Sequence, residues 1–220
     1  MDAFGDASGD LRSLLTKDCD VYVAAVVWGD RMSCARCANK TVRRVTDVAE
    51  AKWRDMNDVQ KRRMMGCFSD NDHLQFGYAK FERHQLQSLQ LSHLLYQNVC
   101  LPPDWDLALE GFAYGEVLFE MGAPEEQRAT FTFDRVASTP QCKAVRDHVL
   151  EFVGDVEVSY KGSRKEGGIQ AADCFAGAVA EDLKRDTDWL SYIDERRITE
   201  SSFSSLAQLE NKLHEYETGP

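Results

Sequence analysis

Apolar residues recur along this chain with the two-residue period of a strand in some stretches and the helical period in others, and the stretches alternate. Val21 to Trp28 is an apolar run rich in β-branched residues and predicts a strand. A shorter strand ending at Asp6 precedes it, and the Gly/Ser/Asp-rich turn between them makes residues 1–30 a hairpin. Residues 31–50 show no period and read as irregular, with basic residues at Arg31, Arg36, Lys40, Arg43 and Arg44. Asp55 to Phe68 predicts a helix and His73 to Phe81 a third strand. His84 to Gln97, with leucines at 86, 89, 91, 94 and 95, predicts a helix that Pro102-Pro103 ends. Asp104 to Met121 is a further helix, Ala129 to Asp134 a fourth strand, Gln141 to Val153 a helix, Val156 to Tyr160 a fifth strand, and Gly168 to Lys184 the last strong helix. From Thr199, leucines at 206, 209 and 213 predict an amphipathic helix. The alternation predicts an α/β fold, a mixed five-stranded sheet with helices on both faces. It divides the chain into one domain over 1–198 and a C-terminal amphipathic helix and tail over 199–220.

Composition narrows the class. A chain of 220 residues that is 43% hydrophobic can bury one sizeable core. No stretch approaches the roughly 20 consecutive apolar residues of a membrane span, and Met1-Asp2-Ala3 lacks the basic and apolar start of a secretory leader. These features predict a soluble cytoplasmic protein that does not enter membranes. Seven cysteines, an odd number and mostly scattered, predict reduced thiols and no disulfide framework. The net charge of −11 disfavours broad, non-specific attraction to nucleic acid, so such a partner would have to be met at a local basic site.

Three aspartates stand out against this background: Asp6 at the end of the first strand, Asp134 at the end of the fourth, and Asp173 within the small-residue helix Gly168-Ile169-Gln170-Ala171-Ala172-Asp173. On a wheel of 100° per residue, Asp173 lies among Ile169, Ala172, Ala176, Ala180 and Leu183. Glu110 falls in the stripe of Leu107, Tyr114, Val117, Leu118 and Met121, whereas Glu116 and Glu120 point away. A lone carboxylate on a buried face is costly unless it is paired or metal-bound. Acids converging from separate elements are what a hard divalent cation needs. Each acid also has a bland reading: Asp6 as a turn residue, Asp134 as a cap of the loop that follows, Asp173 as half of an ion pair.

With Asp6-Ala7-Ser8-Gly9 at the start, a strand-end Asp134 and the late Gln170-Ala171-Ala172-Asp173, the chain resembles the domain-of-unknown-function family 3800, a ribonuclease H-like group. Its members open on Asp-Glu-Ser-Gly, so this chain has alanine where glutamate is usual. The resemblance covers residues 1–185 and implies a ribonuclease H-like fold and a metal-dependent nuclease. In such an enzyme two Mg²⁺ or Mn²⁺ ions are held by Asp6, Glu110, Asp134 and Asp173. Lys161, Ser163 and Arg164 of the neighbouring basic segment, with Gln170, would bind the substrate, RNA or DNA, by its phosphates. The competing expectation is a catalytically inactive binding or assembly protein on the same scaffold.

Other chemistry is thin. Cys34-Ala35-Arg36-Cys37 has the spacing of half a zinc site, but no second pair follows at suitable spacing, so free thiols in a loop are expected there in place of zinc. The five histidines lack ligand spacing, and no glycine-rich phosphate loop, GxSxG or HExxH is present.

Overall fold

A computed structural model of the chain describes residues 1–16, 19–43, 50–86, 104–126, 128–135 and 138–201. Two expected helices, residues 87–97 of the leucine-rich segment and residues 202–220 of the tail, lie outside these. The elements are β1 (Asp2–Ser8), α1 (Leu11–Thr16), β2 (Val21–Gly29), α2 (Arg31–Arg43), α3 (Asp58–Ser69), β3 (Gln75–Glu82), α4 (Trp105–Glu120), β4 (Thr130–Asp134), α5 (Thr139–Val153), β5 (Glu157–Lys161), α6 (Gly167–Arg185) and β6 (Ile198–Glu200).

The strands form one sheet in the order β5-β4-β1-β2-β3-β6. β2 runs antiparallel to β1 and β3, while β4 is parallel to β1, β5 to β4 and β6 to β3. All nine residues of β2 are buried, as suits an apolar run covered by helices on both sides. One face of the sheet, with Ala3, Tyr22, Ala24, Val26, Phe131 and Phe133, packs on α4 and α5. The other, with Phe4, Val23, Ala25, Val27 and Phe76, packs on α2, α3 and α6. Local signals set several boundaries. Asn57 with Gln60, and Ser138 with Gln141, form reciprocal capping boxes at the starts of α3 and α5.

The structure corrects three expectations. Among the described residues the sheet has six strands, because Ile198-Thr199-Glu200 pairs with β3. Three residues are too few to show a period, and tertiary contacts hold them: Tyr78 donates to Glu200 at 2.8 Å, and Lys80 pairs with it at 2.9 Å. Second, the segment read as irregular begins with a regular helix, α2, entered through Asp30, whose carboxylate accepts from the Ser33 amide. Its buried stripe is Cys34, Cys37, Ala38 and Thr41, spaced i, i+3, i+4, i+7 but built of residues too small or too polar to register as hydrophobic. Third, Cys34 and Cys37 are therefore helical and buried, and Cys37 forms a disulfide with Cys67 of α3 across a Cα separation of 5.5 Å. Cys34 remains a thiol, which burial pushes up to about 12.

The start of α6 packs hard against β1. A Cβ on Gly168 would sit 2.3 Å from the ring of Phe4, itself 1% exposed. Gly168→Ala should therefore overpack this contact and lower the unfolding free energy by about 1–3 kcal/mol, read from urea denaturation. An unchanged midpoint would show that Phe4 has room to give way. Among the described residues no helix is long and apolar enough to cross a membrane.

Candidate functional site

The sheet register brings the first two acids together. β1 and β4 pair as Phe4 with Thr132 and Gly5 with Phe133, so the same register continued by one residue sets Asp6 opposite Asp134. Side chains alternate across a strand. Phe4 and Asp6 accordingly share the face that α6 covers, and Thr132 and Asp134 share it from β4. Two turns into α6, Asp173 faces the same sheet end. Asp6, Asp134 and Asp173 line one cleft of about 530 Å³, together with Lys52, Trp53, Arg54, Lys61, Glu181, Lys184 and Arg185.

Each acid is held by a backbone amide. The Ala7 N–H donates to Asp6 Oδ1 at 2.7 Å, the Ser163 N–H to Asp134 Oδ1 at 2.9 Å, and the Trp53 N–H to Asp173 Oδ2 at 2.9 Å. These bonds favour the charged forms, but desolvation prevails. Burial pushes Asp6 well above the usual carboxylate range, and the charges of Asp173 and then Asp134 push it further. Burial likewise raises Asp134 and Asp173, partly offset by their amide partners and by Lys52. Three desolvated carboxylates gathered in one cleft, two of them repelling the third, fit the chemistry of a hard divalent cation. Among the described residues, however, no three His, Cys, Asp or Glu side chains close on a single point.

Glu110 belongs to the opposite face. α4 carries it into a second cavity of about 340 Å³ that also reaches Asp6 and Asp134 and includes Asp106, Tyr22, Arg135 and Gln141. The strand-end pair is thus open to both faces of the sheet, with Asp173 on one side and Glu110 on the other. Burial pushes Glu110 up to about 7, and the neighbouring Asp106, which Arg12 pairs at 2.6 Å, adds to the shift. The Tyr22 hydroxyl is buried beside it, and its interaction with the Glu110 carboxylate offsets part of that rise.

The expected substrate-binding residues are placed differently. Lys161 pairs with the buried Glu166 at 3.5 Å, and the exposed Arg164 with Glu50 at 3.5 Å; neither lines the cleft. Ser163 donates its hydroxyl to Glu50. Gln170 is buried, with its amide committed to the chain: Oε1 accepts from the Ala51 N–H at 3.0 Å and Nε2 donates to the Ser163 carbonyl at 2.9 Å. Of the bases that do line the cleft, Lys61 is paired with Glu181, while Lys52, Arg54, Lys184 and Arg185 carry no signal in the sequence that marks them. Lys184 and Arg185 look like the ordinary basic end of a helix. Lys52 and Arg54 follow a stretch without periodicity, and only their docking on α6 gives them a site.

A three-stranded antiparallel unit followed by parallel β4 and β5, with helices on both faces, is the arrangement of a ribonuclease H-like fold. Solved structures agree. The chain is similar to Archaeoglobus fulgidus RNase HII, solved in complex with PCNA, at a TM-score of 0.54 and 13% identity over 83% of this chain and 73% of that one. It is also similar to ribonuclease H2 of Pyrococcus horikoshii OT3, at a TM-score of 0.51 and 14% identity over 100% of this chain and 90% of that one. No protein-family model and no curated protein matches the chain.

Proposed function

We propose that this chain is a divalent-metal-dependent nuclease that hydrolyses phosphodiester bonds of RNA or DNA in the cleft between β1, β4 and α6. The observation that carries the reading is the meeting of Asp6, Asp134 and Asp173 from three separate elements in one cleft with basic residues on its walls. The likeness in fold to two ribonucleases supports the same class of chemistry. Asp6, Asp134 and Asp173 would hold Mg²⁺ or Mn²⁺, with Glu110 completing the set from the second cavity. Bound there, the ions would polarise the phosphoryl oxygens and lower the pKa of the attacking water.

The chain's own groups do the rest. Lys52, Arg54, Lys184 and Arg185 would draw the phosphates of the strand into the cleft and hold them beside the acids. Repulsion from a chain of net charge −11 confines the polyanion to this basic wall. The amides of Ala7, Ser163 and Trp53 fix one oxygen of each aspartate, leaving the carboxylates oriented before a ligand arrives. Family 3800, the finer assignment, rests on the Asp6-Ala7-Ser8-Gly9 and Gln170-Ala171-Ala172-Asp173 motifs.

The test is incubation of labelled RNA, DNA and hybrid duplexes with Mg²⁺ or Mn²⁺, with chelator as the control. Metal-dependent cleavage of at least one substrate is expected. For binding, the double variant Lys184→Ala/Arg185→Ala should flatten the slope of log K against log salt by roughly 2, about one per lost phosphate contact. A second reading, an inactive binding or assembly protein on this scaffold, is favoured by the fact that no three donors close on one point among the described residues. Salt-sensitive binding without cleavage of any substrate would select it.

A further inference from the structure

We propose that the segment Glu50–Trp53, docked on α6 through Gln170, is the positioning element of the acid site: it sets Asp134 and Asp173 relative to each other and carries Lys52 into the cleft. The inference rests on the reading of this cleft as a metal-dependent nuclease site.

The geometry is a closed circuit of hydrogen bonds. From α6, one side-chain amide reaches two separate segments: Gln170 Oε1 takes the Ala51 N–H at 3.0 Å, and Nε2 gives to the Ser163 carbonyl at 2.9 Å. Each of those segments supplies the amide that holds one acid. The Ser163 N–H goes to Asp134 at 2.9 Å, and the Trp53 N–H, two residues beyond Ala51, goes to Asp173 at 2.9 Å. The Ser163 hydroxyl donates to Glu50, tying the same two segments a second time. A carboxamide suits this place because it offers one acceptor and one donor in a fixed plane without charge. A carboxylate would lack the donor, and an apolar side chain would leave the buried Ala51 N–H without its acceptor and the Ser163 carbonyl with the Glu166 N–H alone.

The far end of the segment is clamped as firmly. The Trp53 indole N–H donates to Glu181 at 2.7 Å, and Lys61 stands 4.9 Å from the ring centroid. Trp189 meets the same ring edge-on at 5.5 Å. Beneath it lies Gly177, where a Cβ would come within 2.4 Å of the indole. Lys52 sits between the Gln170 anchor and this clamp. It lines the cleft and pairs with Glu50 at 3.5 Å, so its ammonium is where the docked backbone puts it. Gln170 itself does not line the cleft and acts only through its neighbours. Ala51 and Trp53 belong to the same core as Ile169, Ala172, Cys174 and Ala176 of α6, so protection of the β2 amides is the control for global folding.

Two variants attack the docking by unrelated routes. Gln170→Met removes the polar circuit at similar volume, and Gly177→Ala drives a methyl into the Trp53 ring while leaving every polar group in place. Three readouts apply: amide hydrogen exchange at Ala51, Trp53 and Ser163 in metal-free protein, Mn²⁺ affinity by calorimetry, and kcat against KM on a cleaved duplex. In both variants exchange at Ala51 and Trp53 should accelerate at least about 10-fold while amides of β2 keep their protection. Mn²⁺ affinity should fall by about 10–100-fold, as for loss of groups that orient metal ligands. On the cleaved duplex kcat should fall by a similar factor, with KM changing far less. Unaltered exchange at Ala51 and Trp53 in Gln170→Met, or wild-type Mn²⁺ affinity in both variants, overturns the proposal. Wild-type protein that neither binds Mn²⁺ nor cleaves overturns the reading of the site instead, and the exchange data then decide the docking by themselves.

Discussion

Asp6→Asn and Asp173→Asn are each expected to lower the rate of phosphodiester cleavage by a factor on the order of 10³ or more. Asparagine keeps the size of the side chain and can keep its amide-held oxygen, at Asp6 from Ala7 and at Asp173 from Trp53. It removes the negative charge that draws a cation. The two residues come from different elements but face one cleft, and the Asp173 charge repels Asp6 more strongly than that of Asp134, so they act as a unit. The double variant should therefore be hardly worse than either single one. A second measurement separates this outcome from misfolding. Each acid is raised by burial, so in metal-free protein at neutral pH its charge costs stability, and the neutral asparagine should raise the urea midpoint while abolishing activity. Cleavage that persists in both variants, or in excess chelator, would sink the mechanism.

Glu110→Gln is expected to change how stability depends on pH. The folded-state value is about 7 against an ordinary 4.5, so across that interval the folded chain binds more protons than the unfolded one. The stability tied to the protonated group is complete below pH 4.5 and is lost as pH rises to about 7. The difference, 7 less 4.5, corresponds to roughly 3 kcal/mol at 1.36 kcal/mol per unit. Metal-free Glu110→Gln should therefore match wild type near pH 4.5 and exceed it by up to roughly 3 kcal/mol at pH 8. Asp6, Asp134 and Asp173 are raised in the same direction, so both proteins keep a residual fall. Urea denaturation at pH 4.5, 6 and 8 gives the comparison. Parallel curves would show that Glu110 titrates as an ordinary carboxylate and is not sealed in the second cavity.

What the sequence determined by itself is whatever depends on neighbours along the chain. The unbroken run from Val21 to Trp28 makes a central strand because no register leaves it a polar face. Ser138 with Gln141 starts α5 because a cap needs only the three residues that follow it. Asp6, Asp134 and Asp173 were legible as candidates because acids at strand ends and on an alanine-rich helix lack a cheap local reason. Tertiary structure alone decided the rest. α2 hides its stripe in Cys34, Cys37, Ala38 and Thr41, and β6 is too short to carry a period. The disulfide joins Cys37 to Cys67, 30 residues apart, through the packing of α2 on α3, which no spacing encodes. Glu110 lies on the buried face of its helix, as the wheel predicts, but which side of the sheet that face meets depends on the crossover. Gln170 reads as a polar residue available to substrate, and only the docking of Ala51 and Ser163 around it commits its amide. Lys52 reaches the acids for the same reason. Its position comes from a segment whose hydrogen-bonding partners, on α6 and beyond β5, lie more than a hundred residues away in the chain.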